Sequence, residues 1–253
     1  MQMSANLLDK KPRRIAKVIA HSGLCSRRDA EQLIKTGRVT VNNEVIKECS
    51  TKTVEKDLIL VDGEKLPKQE KPRLWKYYKP SGLITTHKDE NRRPTVFNNM
   101  PSHLPRVISV GRLDLNSEGL LLLTNNGDLG RLLEHPSSGW IRRYRLRVHG
   151  RINKDMIKIL KKGIKIKGIY YAPIIIDEIK ENNDSSNSWL TAKIKEGKNR
   201  ELRIIMQNFG LKVSRLIRTS YGPFQLGNLK NGNLEEISYK VIKEQLGKNI
   251  NYL

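Results

Sequence analysis

Between Gly119 and Asn125 the chain reads GLLLLTN, and Leu120 to Leu123 have nowhere to go but the interior of a sheet. Just upstream lies VGRLDLNSE, where Gly111 and Gly119 bracket a sharp turn between a strand ending at Val110 and the strand that starts near Leu120. Asp114 therefore sits on a loop held at both ends by rigid elements, which is where functional residues concentrate. Its neighbours Leu113 and Leu115 are apolar, so desolvation would raise its pKa unless a basic group faces it. On spacing alone two roles stand open for Asp114: a cap on the turn, common for Asp, or chemistry.

The chain of 253 residues carries 48 Lys+Arg against 26 Asp+Glu, a formal net charge of +22. Such a balance calls for a polyanionic partner, nucleic acid first. A membrane span is not expected, because Leu120 to Leu123 is the longest apolar run and a bilayer needs roughly 20 residues. The N-terminus, MQMSANLLDKKPRR, has no apolar core for a secretion signal. Cys25 and Cys49 lie far apart with no CxxC pair, and His21, His87, His103, His135 and His149 are scattered without metal-ligand spacing. A reducing cytoplasm is the expected compartment, without a zinc site, and the histidines are expected to be structural or surface residues.

Two short helical patterns open the chain, RRIAKVIAHSG closing at Gly23 and SRRDAEQLIKTG closing at Gly37, with Ser26 and Asp29 at capping-box spacing. RVTVNNEVI then alternates around a turn at Asn42 and Asn43, and LILVDGEKL adds a strand with a DG turn. Arg13, Arg14, Lys17, Arg27, Arg28, Lys35 and Arg38 form a basic surface on and around the helices, expected to lack matching acids at i+4 spacing. Lys65 to Pro72, KLPKQEKP, reads as a linker. Beyond it, strands are expected in LWKYYKPSGLITT, VISVGRLD, GLLLLTNNG, RRYRLRVHG, YAPIIIDEIK, WLTAKIKE and KVSRLIRTSYG, with helices in DLGRLLEH, ended by Pro136, and in NRELRIIMQNFG. Glu181 to Ser188 is expected to be a polar loop. Strands outnumber helices, which predicts an α+β domain with a mixed or antiparallel sheet.

SGLCSRRDAEQLIKTGRVTVNNEVI resembles the S4 RNA-binding module, in which a two-helix face contacts structured RNA. VGRLDLNSEGLLLLTNNGDL resembles the catalytic motif of pseudouridine synthases, in the branch that modifies ribosomal RNA and carries an N-terminal S4 module. The likeness continues through YYKPSGLITT, RPTVF, RRYRLRVHG, EGKNRELRIIM and VSRLIRTSYG, the last two being most like the large-subunit pseudouridine synthase B group. The resemblance implies an S4-like domain over residues 12–70 and a catalytic domain over 73–247. It implies that Asp114 is the catalytic carboxylate, attacking the anomeric carbon or abstracting a sugar proton, that Tyr144 stacks on the base and acts on the C5 proton, and that Arg203 holds Asp114 ionised by a charge-assisted bond.

Arg112 stands beside the catalytic loop, to fill the stack vacated by an extruded base or to contact a phosphate. Leu202, Leu216, Arg218, Arg27 and Arg28 complete the expected substrate-binding set, with Leu202 and Leu216 packing around Tyr144. Arg142, Arg143, Arg145, Arg147 and Arg151 are expected on both faces of their strand, some at phosphates. The isomerisation imports no group, so no cofactor is expected, in keeping with the lack of a GxxxxGK[ST] or GxGxxG loop. Expected partners are ribosomal RNA, large-subunit before small-subunit, with no membrane and no metal, and a monomeric state. Ser117 and Asn126 depart from the family's commoner residues while keeping a hydroxyl and a turn former. The rival reading is a noncatalytic ribosome-assembly factor, which has no need of Asp114, Tyr144 and Arg203 together. An RNA methyltransferase would need a glycine-rich donor site, and none is visible.

Overall fold

Ser26 shows how local sequence sets the first helices: its Oγ accepts from the N–H of Asp29 at 3.0 Å and donates to the Asp29 carboxylate at 2.6 Å, the reciprocal cap that the spacing predicts. The computed structural model describes residues 12–150, 152–181 and 187–247. Arg151 and most of the expected polar loop, residues 182–186, lie outside the described residues. The chain divides into two units, one running to Pro72 and including His103–Arg106, the other comprising Arg73–Ser102 and the chain from Val107 onward. Among the described residues no helix is long and apolar enough to cross a membrane.

The first unit contains β1 (Arg13–Arg14), α1 (Ile15–His21), α2 (Arg27–Lys35), β2 (Val39–Val41), β3 (Glu44–Ile46), β4 (Lys52–Thr53), β5 (Ile59–Val61) and β6 (Glu64–Lys65). Asn42 and Asn43 take φ of 50° and 72°, the paired left-handed turn that joins strands tightly. Ile15, Ile19, Ala30, Ile34, Val39, Ile59 and Val61 form the core between the helices and the sheet ordered β3-β2-β5-β6. The basic surface is not free of acids at i+4: Arg27 Nε lies 3.3 Å from Glu31 Oε1. Arg38 also makes a two-pronged pair with Asp62. Both pairs are exposed and add little stability, while Arg14, Arg28 and Lys35 face solvent.

The second unit contains β7 (Leu74–Lys79), β8 (Ile108–Val110), β9 (Glu118–Thr124), α3 (Gly127–Glu134), β10 (Arg142–His149), α4 (Lys154–Lys162), β11 (Ile164–Ile166), β12 (Ile169–Tyr171), β13 (Ile175–Glu181), β14 (Asn187–Ile194), α5 (Glu201–Asn208), β15 (Lys212–Tyr221), β16 (Phe224–Gln225), β17 (Leu234–Ile237) and α6 (Tyr239–Leu246). Its main sheet has nine strands, ordered β13-β14-β10-β15-β9-β7-β17, with β16 on β15 and β8 on β9. Neighbours run antiparallel except β15 and β9, which are parallel, so the α+β class with a mixed sheet holds.

All seven residues of β9 are buried. Leu120 and Leu122 pack with Leu129 and Leu133 of α3 and Ile242 and Leu246 of α6. Leu121 and Leu123 are equally inaccessible on the other face. At about 1.5–3 kcal/mol per buried leucine, this strand is what the unit condenses around. Asn126, the departure noted above, caps α3 by accepting from the N–H groups of Asp128 and Leu129, both at 2.9 Å.

Several elements differ from expectation. The strand in LWKYYKPSGLITT ends at Lys79, before Pro80, which has no N–H to continue a ladder. The expected loop from Glu181 to Ser188 is entered by strands at both ends, since β13 runs through Glu181 and β14 starts at Asn187. Helices α4 and α6 and strand β17 have no counterpart in the expectations. Each is short and lysine- or glutamate-bearing, so its apolar stripe is thin.

Gly119, at the head of β9, has φ of +98° and pairs with Arg218 of β15. A Cβ there would lie 2.8 Å from the Arg218 amide nitrogen and closer still to its carbonyl oxygen. Gly119→Ala is therefore expected to destabilise the protein by at least about 2 kcal/mol in chemical denaturation. Gly82→Ala, at φ +89° but with open space where the Cβ would sit, is expected to lose about 1 kcal/mol. Equal losses would show that backbone strain alone, not the close approach of β15, demands a glycine at position 119.

Candidate active site

The loop between β8 and β9 is closed by its own main chain: the N–H of Ser117 donates to the carbonyl of Asp114 at 3.0 Å, a four-residue turn. The Asp114 side chain is not what closes that turn, so its carboxylate is left uncommitted by the cap role considered for it. Leu113 is buried and Leu115 is 40% exposed, so the apolar flank of Asp114 is one-sided and Asp114 itself is half-buried.

What fixes the loop is Lys79, the last residue of β7 and fully buried. Its Nζ donates to the carbonyls of Pro80 (2.9 Å), Asp114 (3.1 Å), Leu115 (3.4 Å) and Ser117 (2.8 Å). An ammonium carries only three hydrogens, so these four acceptors share them. Burial pulls the Lys79 pKa down to about 8, and the charges of Asp114 and Glu118 oppose that shift. The segment after β7 braces the same loop from outside: Thr85 Oγ donates to the carbonyl of Leu113 at 2.9 Å and accepts its N–H at 3.3 Å. Gly82 N–H donates to the carbonyl of Leu115 at 2.8 Å.

Across the sheet, Gly119 of β9 sits beside Arg218 of β15, and Arg218 beside Tyr144 of β10. A bulge between Arg143 and Tyr144 leaves Thr219 unpaired in the ladder and brings Tyr144 opposite Arg218. Tyr144 and Arg218 are buried, at 8% and 2% exposure. Arg218 Nε donates to the carbonyl of Leu120 at 2.7 Å, while its Nη2 is buried without a protein partner. One strand-turn away, Arg215 binds Glu118 through two bonds of 2.9 Å, tying the exit of the Asp114 loop to β15.

Helix α5 brings Arg203 to the loop from the other side. Its Nη1 donates to the carbonyl of Val213 at 2.9 Å and its Nη2 to the carbonyl of Asn116 at 2.8 Å, while Nε is buried without a partner. The expected charge-assisted bond to the Asp114 carboxylate is thus replaced by bonds to two main-chain carbonyls, which face the guanidinium more directly. Burial and the charge of Arg200 lower the Arg203 pKa, and the charge of Asp114 raises it. The carboxylate therefore lies within electrostatic reach, though Arg203 orients the loop rather than gripping the acid. At the head of α5, buried Glu201 accepts the N–H of Lys198 at 3.0 Å. Desolvation and the neighbouring Glu196 raise the pKa of Glu201, and Lys198 Nζ pairs with Glu196.

The second unit thus gathers Asp114, Tyr144, Arg203 and Arg218 around one loop and three adjacent strands. Arg112 is exposed on the loop itself. Leu202 and Leu216 are buried, at 3% and 6%, with Leu216 paired to Leu146, two residues beyond Tyr144 on β10. Arg27 and Arg28 belong to the first unit. On β10 the arginines divide by face: Arg145 and Arg147 are exposed opposite Tyr144, Leu146 and Val148, and Arg142 covers the Tyr221 ring at 4.8 Å. The sequence reading passed over Lys79 and Glu118. A lysine ending an apolar strand before Pro80, and a second acid four residues after Asp114, are the signals that would have found them.

The RNA pseudouridylate synthase family matches residues 73–208, and the S4 domain matches residues 13–59. A Rickettsia prowazekii protein named as an uncharacterized RNA pseudouridine synthase is 50% identical over 233 residues, covering 92% of this chain and 97% of its own. Ribosomal large subunit pseudouridine synthase B of Buchnera aphidicola is 40% identical over 233 residues, covering 89% and 92%. A crystal structure of a pseudouridylate synthase superposes with a TM-score of 0.63 at 25% identity, over 92% of this chain and 99% of that one.

The Lys79 cage has a pH signature. Its pKa of about 8 lies below the unfolded value of 10.5, so between these values the unfolded chain binds the proton and the folded chain does not, and stability on this account rises with pH. Lys79→Met is expected to cost about 2–4 kcal/mol at pH 7, because the carbonyls lose their donor. The gap from the wild type should widen from pH 8 towards pH 10.5, as read by denaturant titration. A gap that narrows over that range would show that the ammonium is not held as described.

Proposed function

The chain belongs to the RNA pseudouridylate synthase family, and on that premise we propose that it isomerises a uridine of large-subunit ribosomal RNA, with Asp114 as the reacting carboxylate. The observation that supports this most is the Asp114 carboxylate itself, uncommitted on a loop whose carbonyls are held by Lys79 and Arg203. The large-subunit target rests on the relatives named ribosomal large subunit pseudouridine synthase B. The S4 match and the net charge of +22 suit an RNA partner. A noncatalytic binder would not need the loop, the buried tyrosine and the two part-satisfied arginines at one place.

In this reading the glycosidic bond from C1′ to N1 breaks, the uracil turns, C1′ bonds to C5, and the proton on C5 leaves while N1 gains one. Asp114 either attacks C1′ or removes a sugar proton to start the cleavage. The Tyr144 ring supports the base and its phenol serves the C5 proton. The unpartnered Nη2 of Arg218 and Nε of Arg203 are donors held in place for charge that develops during the step. Arg112, exposed beside the loop, enters the stack left by the extruded uridine or holds a phosphate. Leu202 and Leu216 act through packing. The atoms balance without an added group, so no cofactor or metal is called for. We place the reaction in the cytoplasm, where Cys25 and Cys49 remain free thiols, with the enzyme as a monomer.

Incubating ribosomal RNA with the purified protein and mapping pseudouridine by position is expected to show one converted uridine in large-subunit RNA, and Asp114→Asn is expected to lower the rate by at least about 10³-fold with unchanged RNA affinity. If wild-type protein converts no uridine in large-subunit precursor or naked RNA, the assembly-factor reading takes over. Charge reversal of Arg27 and Arg28 together is expected to raise the dissociation constant for that RNA about tenfold, flatten its salt dependence and leave the single-turnover rate at saturation unchanged. An unchanged salt slope would remove the first unit's arginines from the RNA contact.

A further inference from the structure

Between β7 and β8 the chain makes an excursion that the catalytic reading leaves unused. Thr95 and Val96 are buried at its base, and Thr85 and Gly82 tie it to the Asp114 loop through Leu113 and Leu115. On its surface the rings of His87 and Phe97 stack face to face, with centroids 3.6 Å apart and planes 9° from parallel. Phe97 is half-buried and His87 is exposed, so the phenyl ring backs the imidazole and the outer face of the imidazole is open to solvent. A supported planar ring of this kind is a platform for a nucleobase, since every base offers a π-face.

A cavity of about 520 Å³ adjoins the stack, with His87, Asp89, Arg92, Arg93, Asn98 and Asn99 among its walls. Arg93 is fixed by Asp89 through bonds of 2.7 and 3.1 Å. That contact, together with the Arg93 N–H, takes the Asp89 pKa down to about 2, so both charges persist over the whole working range. Arg92 is exposed, on a backbone at φ +53°. Asn98 Oδ1 accepts the N–H and the hydroxyl of Thr95, both at 2.7 Å, which leaves the amide NH₂ as a donor at the cavity wall. Aromatic plane, cation and amide donor together match one nucleotide: base, phosphate and base edge.

We propose that the His87–Phe97 stack and its adjoining cavity seat an unpaired nucleotide flanking the uridine that reaches Asp114, with its base on the open face of His87 and its phosphate at Arg92. The inference rests on the RNA substrate proposed above and adds a second subsite to it. Because the excursion is bonded to the Asp114 loop at Leu113 and Leu115, occupancy here also steadies the loop that carries the reacting carboxylate.

Two arms test the subsite in the full chain. In the first, a ten-nucleotide, uridine-free single-stranded RNA carrying 2-aminopurine is titrated with wild type, His87→Ala and His87→Phe. Wild type and His87→Phe are expected to quench the fluorophore by stacking, and His87→Ala to bind about tenfold more weakly with the quench lost. In the second, single-turnover conversion of large-subunit RNA by His87→Ala is expected to keep its saturating rate while the concentration for half-saturation rises about tenfold. His87→Ala that quenches and binds like the wild type overturns the subsite, as does His87→Phe failing to restore the quench. The first arm contains no target uridine, so it reports on the subsite even if the protein converts no uridine at all.

Discussion

One buried ammonium holds the functional end of the second unit together. Lys79 closes β7 and places a positive charge where Pro80, Asp114, Leu115 and Ser117 all turn their carbonyls inward. A loop bent this tightly cannot satisfy those carbonyls with its own N–H groups, and leaving them buried without donors would cost roughly 1–3 kcal/mol apiece. Lysine suits the task because its compact head donates in three directions from a flexible stem. The desolvation that lowers its pKa to about 8 is offset by those acceptors and by the nearby acids.

The rest of the site follows from the same economy of main-chain bonds. Ser117 closes the turn through Asp114's carbonyl, Arg203 takes the carbonyl of Asn116, and Thr85 takes both polar groups of Leu113. Every brace on the loop is addressed to the backbone. The Asp114 side chain is thereby aimed without being used. Gly119 completes the geometry by letting β15 approach in parallel, which carries Arg218, and through Arg218 the bulged Tyr144, to the same end of the sheet.

Those braces explain what could be read from residues alone. The leucine run had to be a buried strand, Asn42-Asn43 had to be a tight turn, and Ser26 with Asp29 had to start a helix, because in each case neighbouring residues decide the outcome. Motif likeness located Asp114, Tyr144, Arg203 and Arg218. Lys79 was not legible, because nothing nearby in sequence says that a lysine 35 residues before Asp114 bonds to its carbonyl. Arg203 was found, but the group it bonds was not: sign suggested the carboxylate, whereas fold placed the Asn116 carbonyl first. Helices α4 and α6 escaped because their apolar stripes are narrow, Met156 and Leu160 in one and Ile242 and Leu246 in the other. Their existence depends on the sheet they cover.

The arginines show why charge alone is a poor guide to function in so basic a chain. Arg38, Arg73, Arg93 and Arg215 are each gripped by a carboxylate through two nitrogens, and a guanidinium so engaged has less to offer a phosphate. Arg203 and Arg218 differ in kind: each is buried, each bonds main-chain carbonyls, and each keeps one N–H-bearing nitrogen without a protein partner. Burying a cation with a donor left over is costly for a fold, and a sequence selected for stability alone would replace it with an apolar residue of similar size. That two such arginines converge on the loop carrying an uncommitted aspartate ties their cost to chemistry that a packed core does not require.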